Sequence, residues 1–150
     1  MVGFDFTRHI RRLCADMVSR LDALRHIDLE QVAIRFCQVR APGPYGIQAS
    51  LTPLRFAGGA LETQRRGRRY TVSPVLAENG EPALYLLSFY LPRSLDRPFR
   101  DKINTVLHEL WHVGPQFDGD IRRHEGRCYA HSPSQKEYDR VIEGMVDRWL

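Results

Sequence analysis

The sequence predicts an α+β fold in which a β-rich middle is enclosed by helical segments. Apolar residues recur at three- and four-residue spacing in 5–25, in 97–113 and near the C-terminus, as on one face of a helix. From residue 31 to residue 91 the pattern instead alternates, and glycine and proline interrupt it at short intervals. The 150 residues are enough for one core, so we expect a single domain over 1–150.

The first third of the chain is expected to hold one helix and two strands. Residues 31–40 alternate and are rich in β-branched and aromatic side chains, which favours a strand. A loop rich in proline and glycine follows over 41–46, and 47–56 predicts a second strand that bends at Pro53. Residues 5–25 predict an amphipathic helix, whose inner face would consist of Ile10, Leu13, Cys14, Met17, Leu21 and Leu24.

Three further strands are predicted in the middle of the chain, over 60–64, 70–76 and 83–91. The first two would be joined by a tight basic turn over 65–69, and the last two by a hairpin at Asn79-Gly80. We therefore expect an antiparallel or mixed meander of four to five strands, backed by the helices.

The helix predicted over 97–113 is the centre of the functional argument. Asp96 is the expected N-cap, Pro98 suits the first turn, and Gly114-Pro115 ends the helix. The apolar stripe should lie roughly opposite His108 and His112, on the other side of the helix. That stripe contains Phe99, Ile103, Val106, Leu107 and Leu110.

A last helix is expected after Ser132 or Ser134, either of which would cap it. Its inner face would consist of Tyr138, Val141, Ile142, Met145 and Trp149.

Residues 108–112 read His-Glu-Leu-Trp-His, which is the HExxH pattern. Side chains four apart on a helix share one face, so His108 and His112 can bind one Zn²⁺. Glu109 would then lie beside the ion, where it can accept a proton from water as a catalytic base. The motif on an amphipathic helix predicts a zinc-dependent hydrolase.

A catalytic zinc site usually takes three protein ligands, so a third must lie elsewhere in the chain. His124 is our first choice, because it follows His112 after a loop long enough to fold back over the metal. The alternatives left open are Asp118, Glu143, His131 and Cys128. Asp118 and Asp120 have a second interpretation, because a ligating histidine commonly donates its other N–H to a carboxylate. Asp-Gly-Asp is also a common turn sequence.

A second class of function is a nucleic-acid-binding module. Arg65, Arg66, Arg68 and Arg69 surround a predicted turn, with Tyr70 beside them, and arginine is well suited to phosphate. A third class is a zinc site without catalysis, closed by a fourth ligand such as Cys128, although Glu109 argues against it.

Composition and charge exclude several classes. Three widely spaced cysteines (Cys14, Cys37 and Cys128) do not form a disulfide framework, and we expect buried thiols in a reducing compartment. No signal-peptide pattern follows Met1, and the longest apolar run, 83–91, is too short for a bilayer. We expect a cytoplasmic protein without a membrane partner. Its net charge of +4 is modest.

The run HELWHVGPQFDGDIRRHEGRCYAH, from His108 to His131, resembles the core of the phage-type metallopeptidases, a zincin group near the SprT-like minimal metallopeptidases. The resemblance implies a zincin-like fold with His108 and His112 as zinc ligands, Glu109 as base and His124 as third ligand. It also implies a sheet whose edge strand runs above the cleft, for which we expect 83–91. A protein or peptide substrate would pair with that strand, and Tyr129 or Tyr138 is the candidate second electrophile.

Overall fold

A computed structural model describes residues 3–40, 46–122 and 135–150, with the side chain of Gln135 left aside. The described part is α+β, as the sequence predicts, with three helices and two small sheets. The helices are α1 (Phe6–Arg20), α2 (Phe99–Trp111) and α3 (Gln135–Trp149). The strands are β1 (Val32–Gln38), β2 (Ala49–Pro53), β3 (Glu62–Arg65), β4 (Arg68–Thr71) and β5 (Tyr85–Leu91).

The main sheet has three strands in the order β1-β5-β2. Strand β5 runs parallel to β1 and antiparallel to β2, so the sheet is mixed. The expectation that 83–91 forms the edge strand is wrong, because β5 is central. Its run Tyr85-Leu86-Leu87-Ser88-Phe89 is buried without alternation, as expected for a strand covered on both faces.

The two faces of the main sheet are covered by different parts of the chain. Tyr85, Leu87 and Phe89 point into the larger core, which they share with all three helices. Leu86 points the other way, into a smaller cluster with Ala33, Leu54, Ala77 and Ala83. The return segment before β5 therefore shields one face while the helices shield the other.

The second sheet is the two-stranded hairpin β3–β4, which turns at Arg66-Gly67 as predicted. The predicted strand over 70–76 is wrong beyond Thr71, where β4 ends. The Asn79-Gly80 turn is present, with Leu76 bridged to Pro82, but it does not join β4 to β5 in one sheet. The sheets therefore do not form a single meander.

Helix α1 begins after Asp5, whose side chain accepts a hydrogen bond from the Arg8 N–H at 3.0 Å. It ends at Arg20, and a short 3₁₀ turn replaces the last part of the helix expected to residue 25. The predicted inner face is confirmed, since Cys14, Met17, Leu21 and Leu24 are buried. Burial raises the pKa of the Cys14 thiol to about 12, whereas Cys37 is only half-buried, contrary to expectation.

Helix α2 lies close to its predicted bounds, although its start differs in detail. Pro98 occupies the N-cap position, and Asp96 ends a preceding 3₁₀ turn, so the prediction of Asp96 as N-cap is wrong. Phe99 is 63% exposed because it lies at the open first turn. The rest of the stripe is buried, as predicted, and consists of Ile103, Val106, Leu107 and Leu110.

Helix α3 packs antiparallel to α2 and covers part of it. The Arg100 guanidinium donates to Glu143 and to Asp147, each at 2.7 Å, and the Asn104 amide donates to Glu143 at 2.8 Å. Tyr138, Ile142 and Met145 are buried as predicted, whereas Val141 is exposed. The predicted caps Ser132 and Ser134 lie outside the described residues. Within the described ranges, no helix combines the length and apolar character needed to cross a membrane.

Candidate metal centre and cleft

The two histidines of the HExxH motif converge at the C-terminal end of α2. Their Nε2 atoms are 3.3 Å apart, and their rings cross at 74° with centroids 5.0 Å apart. Two nitrogens bound to one tetrahedral Zn²⁺ at about 2.0–2.1 Å would be separated by roughly 3.3–3.4 Å. The separation of the His108 and His112 nitrogens therefore matches that of two ligands on one shared ion.

The face that carries the imidazoles is partly covered by α3, and both histidines remain half-buried. The buried Tyr138 ring contacts both imidazoles, with centroids 4.9 Å from His108 and 5.7 Å from His112. Its hydroxyl donates to the His108 carbonyl at 3.3 Å and lies 3.5 Å from Nε2 of His112. Burial, and secondarily the charge of Glu109, raise the pKa of this phenol well above its usual value. Tyr138 is therefore a neutral hydroxyl at the edge of the candidate metal site.

Glu109 lies between the histidine pair and the main sheet. Burial raises the pKa of its carboxyl to about 7, although a hydrogen bond from the backbone N–H of Leu51 acts in the opposite direction. A carboxylate with a pKa near neutrality can both accept and return a proton. Burial thus brings the pKa of the predicted catalytic base toward neutrality in the metal-free protein.

The register of β2 explains why Leu51 reaches Glu109. Ser50 and Ser88 are partners across β2 and β5, and the bonds at Gln48 and Leu54 show that even-numbered residues of β2 bond to β5. Leu51 therefore directs its N–H and carbonyl to the outer edge. Pro53 also belongs to this outer set, and its missing N–H removes one donor from the edge.

A cleft separates this edge of β2 from α2. One cavity of about 210 Å³ is lined by Gln48, Ala49, Asn104, Thr105, His108 and Glu109. A second, more polar cavity of about 340 Å³ continues past Gln48 and Asn104 toward Glu143. Glu109 and the His108 imidazole thus border one of two adjoining cavities beside an edge of β2 that no other described strand pairs with.

The chain after α2 folds back on the end of the helix. The Arg122 N–H donates to the His112 carbonyl at 2.7 Å, and its Nε donates to the Trp111 carbonyl at 3.0 Å. The guanidinium also lies 3.6 Å above the Trp111 ring. Gly114 is required at the start of this loop, because a Cβ there would lie 2.6 Å from the Asp120 carbonyl oxygen. Arg122 therefore caps the helix at the motif.

The two aspartates proposed as alternative ligands or orienting groups serve the loop. Asp118 Oδ1 accepts from the Asp120 N–H at 3.2 Å, and Asp120 Oδ1 accepts from the Ile121 N–H at 2.9 Å. Tyr85 holds the same loop by donating to the Asp120 carbonyl at 2.7 Å. These contacts match the turn interpretation of Asp-Gly-Asp.

Three of the five candidates for a third ligand lie outside the described residues. His124, Cys128, His131 and Tyr129 lie outside the described residues. In the described ranges, no three side chains of the His, Cys, Asp or Glu type are grouped so as to hold a metal. Glu143, one of the alternatives, accepts hydrogen bonds from Arg100 and Asn104 of α2.

Two features of the site were missed or undervalued by sequence reasoning. The direction of the Leu51 N–H toward Glu109 depends on the register between β2 and β5, which no local pattern encodes. The sequence indicates Tyr138 only as one of two candidate electrophiles and as part of a helix face. Its proximity to the histidines follows from the antiparallel packing of α2 and α3. The four arginines of the basic turn lie elsewhere, at the tip of β3–β4.

Comparison with protein-family models, with curated proteins and with solved structures finds no match to this chain.

Proposed function

We propose that the protein is a zinc-dependent metallopeptidase that hydrolyses peptide bonds with a metal-activated water. The observation that carries the proposal is the convergence of two imidazole nitrogens, 3.3 Å apart, beside a carboxyl group whose pKa is about 7. A helix needs neither feature for folding. Together they supply two metal ligands and a proton acceptor within one turn.

His108 and His112 would hold the ion, with His124 as the proposed third ligand. A bound Zn²⁺ would supply a Lewis acid and lower the pKa of a water in contact with it. Glu109 would accept a proton from that water as it attacks the peptide carbonyl carbon. Glu109 would then donate the proton to the leaving amine as the carbon–nitrogen bond breaks.

The substrate would lie in the groove between β2 and α2, which replaces the expected role of 83–91. An extended peptide can add to an exposed strand edge through main-chain hydrogen bonds. By register, the outer edge of β2 presents the N–H and carbonyl of Ala49 and the carbonyl of Leu51. Since Leu51 also donates to Glu109, the same strand would orient both substrate and base.

Tyr138 supports the proposal from the opposite side. Its hydroxyl donates to the His108 carbonyl and lies 3.5 Å from Nε2 of His112, so a polar hydrogen borders the place where an oxyanion would develop. Its ring packs against both imidazoles. Arg122, in the loop after α2, bonds to the His112 and Trp111 carbonyls and so fixes the end of the helix.

The proposal is tested by measuring bound zinc and peptide hydrolysis on the same preparations. The wild type should bind one equivalent of zinc, measured by elemental analysis, and should cleave quenched fluorogenic peptides or unfolded casein. Glu109→Gln should keep the zinc and lose at least about 100-fold in kcat, because the base is removed while the ligands stay. His112→Ala should lose both metal and activity.

The matched control is His9→Ala, which removes an exposed imidazole stacked on Phe4, away from the motif. It should bind zinc and cleave peptides like the wild type. A wild type that carries zinc but cleaves no peptide would contradict the peptidase assignment. Equal activity of the Glu109→Gln variant and the wild type would remove Glu109 from the mechanism.

A further inference from the structure

The hairpin β3–β4 is a two-stranded ribbon with little contact to either core cluster. Seven of its eight strand residues are exposed, and Thr63 alone is half-buried. In the described structure, β3 and β4 pair only with each other. A ribbon of this kind adds little burial, so its side chains are available for another role.

The register sorts the side chains of the ribbon onto two faces. Arg65 lies opposite Arg68, and Thr63 lies opposite Tyr70, so these four side chains share one face. Arg69 lies on the other face, where its guanidinium bonds to Glu62. One face is thus neutralised by an ion pair, and the other carries two arginines and an exposed tyrosine without a carboxylate.

The arginines occupy positions that oppose hairpin formation. Like charges directly across two strands destabilise the pair. Arg66 has φ +52° and Gly67 has φ +74°, as a type I′ turn requires, but glycine, asparagine or aspartate is preferred at the first of these positions. Among the described residues, Arg65, Arg66 and Arg68 take part in no ion pair. Positions where a sequence acts against its own local structure are characteristic of binding sites.

We propose that the face formed by Arg65, Arg68 and Tyr70, with Arg66 at its tip, binds single-stranded nucleic acid. A phosphodiester placed between Arg65 and Arg68 would replace their mutual repulsion with two charge-assisted contacts. Tyr70 is 46% exposed and follows Arg69 along the strand, so its ring is available for stacking on an unpaired base. An anionic membrane would instead favour an apolar tip, which this turn lacks.

The test measures binding of fluorescently labelled oligonucleotides by anisotropy over a range of salt concentrations. All samples contain a chelator, so that binding is independent of the proposed metal centre. Arg65→Thr/Arg68→Thr replaces the facing arginines with good strand formers. It should make the negative slope of log K against log salt less steep by about 1.4, which corresponds to two lost single-strand phosphate contacts. Tyr70→Thr should weaken binding at least about fivefold without changing that slope.

The matched control is Arg8→Gln/Arg12→Gln, which removes the same charge from the exposed surface of α1. It should leave the slope unchanged. If this control weakens binding as much as the ribbon variant, the effect is one of net charge and the proposal fails. It also fails if the protein binds a labelled duplex more tightly than single strands, or if it binds anionic vesicles and no oligonucleotide. Because the chelated protein is used, these outcomes are independent of whether peptide hydrolysis is found.

Discussion

The C-terminal half of α2 and the β3–β4 ribbon both carry dense groups of side chains with a proposed function, but in opposite environments. At the motif, Glu109 and the imidazoles are partly withdrawn from water by β2 and by Tyr138 of α3. On the ribbon, Arg65 and Arg68 are exposed and contribute little to folding. Proton transfer benefits from desolvation, whereas phosphate binding benefits from exposed charge.

Local folding preferences agree with the proposed function in α2 and conflict with it in the ribbon. In α2 the apolar stripe that folds the helix also positions the candidate site, so stability and the proposed chemistry depend on the same packing. In the ribbon, Arg66 has an unfavourable positive φ, and the facing pair Arg65 and Arg68 repel each other, so these residues oppose the local structure. Substitutions in the two regions should therefore have opposite effects on stability, and this contrast can be measured.

The largest expected difference comes from the same substitution made beside each region. Leu110 is fully buried on α2, and Leu110→Ala should lower the free energy of unfolding by about 2–5 kcal/mol. Leu61 precedes β3 and is 60% exposed, so Leu61→Ala should change it by less than about 0.5 kcal/mol. Urea denaturation of the metal-free variants measures both values. Similar losses at the two positions would show that the ribbon is part of the core.

The next effect concerns pH and applies to the motif alone. Glu109 has an ordinary pKa of 4.5 and a pKa of about 7 in the folded metal-free protein. Between these values the folded state retains a proton that the unfolded state has released, so stability is full below about pH 4.5 and decreases as pH rises toward 7. The loss attributable to Glu109 should reach at most roughly 3 kcal/mol, and less where solvent screens the charge.

Denaturation of the chelated wild type and Glu109→Gln from pH 4 to pH 8 isolates this contribution as their difference. The difference between the wild type and Arg65→Thr/Arg68→Thr should stay constant with pH, because both proteins keep Glu109 and arginine stays charged throughout this range. A wild-type protein whose stability rises relative to Glu109→Gln over the same interval would reverse the sign and contradict the desolvation of Glu109.

The sequence predicts the bounds of α2 closely but does not predict the position of β5 in the sheet. The helix was predicted over 97–113 and observed over Phe99–Trp111, because its stripe and its Gly114-Pro115 stop are local signals. The central position of β5 was not predicted, because the Asn79-Gly80 turn suggested pairing with the preceding strand. Burial of both faces instead brings β5 beside β1, which is distant in sequence.

The candidate site likewise combines residues that local sequence patterns bring together with groups that only tertiary packing brings near. Helical spacing alone brings His108 and His112 together with Glu109 beside them. The Leu51 N–H and the Tyr138 hydroxyl come from elements about 58 and 26–30 residues away, so only tertiary packing can reveal them. The elevated pKa of Glu109 is likewise a property of burial and not of the motif.

The smallest expected effect tests whether the ribbon sacrifices stability for charge. Arg66→Asn places a residue that tolerates positive φ before Gly67, and it should raise the free energy of unfolding by about 0.5–1 kcal/mol. The same variant should bind oligonucleotides more weakly, because a cation at the tip is lost. Denaturation and anisotropy on one preparation measure the two changes. If Arg66→Asn destabilises the protein or leaves binding unchanged, arginine at the turn serves folding and not a ligand.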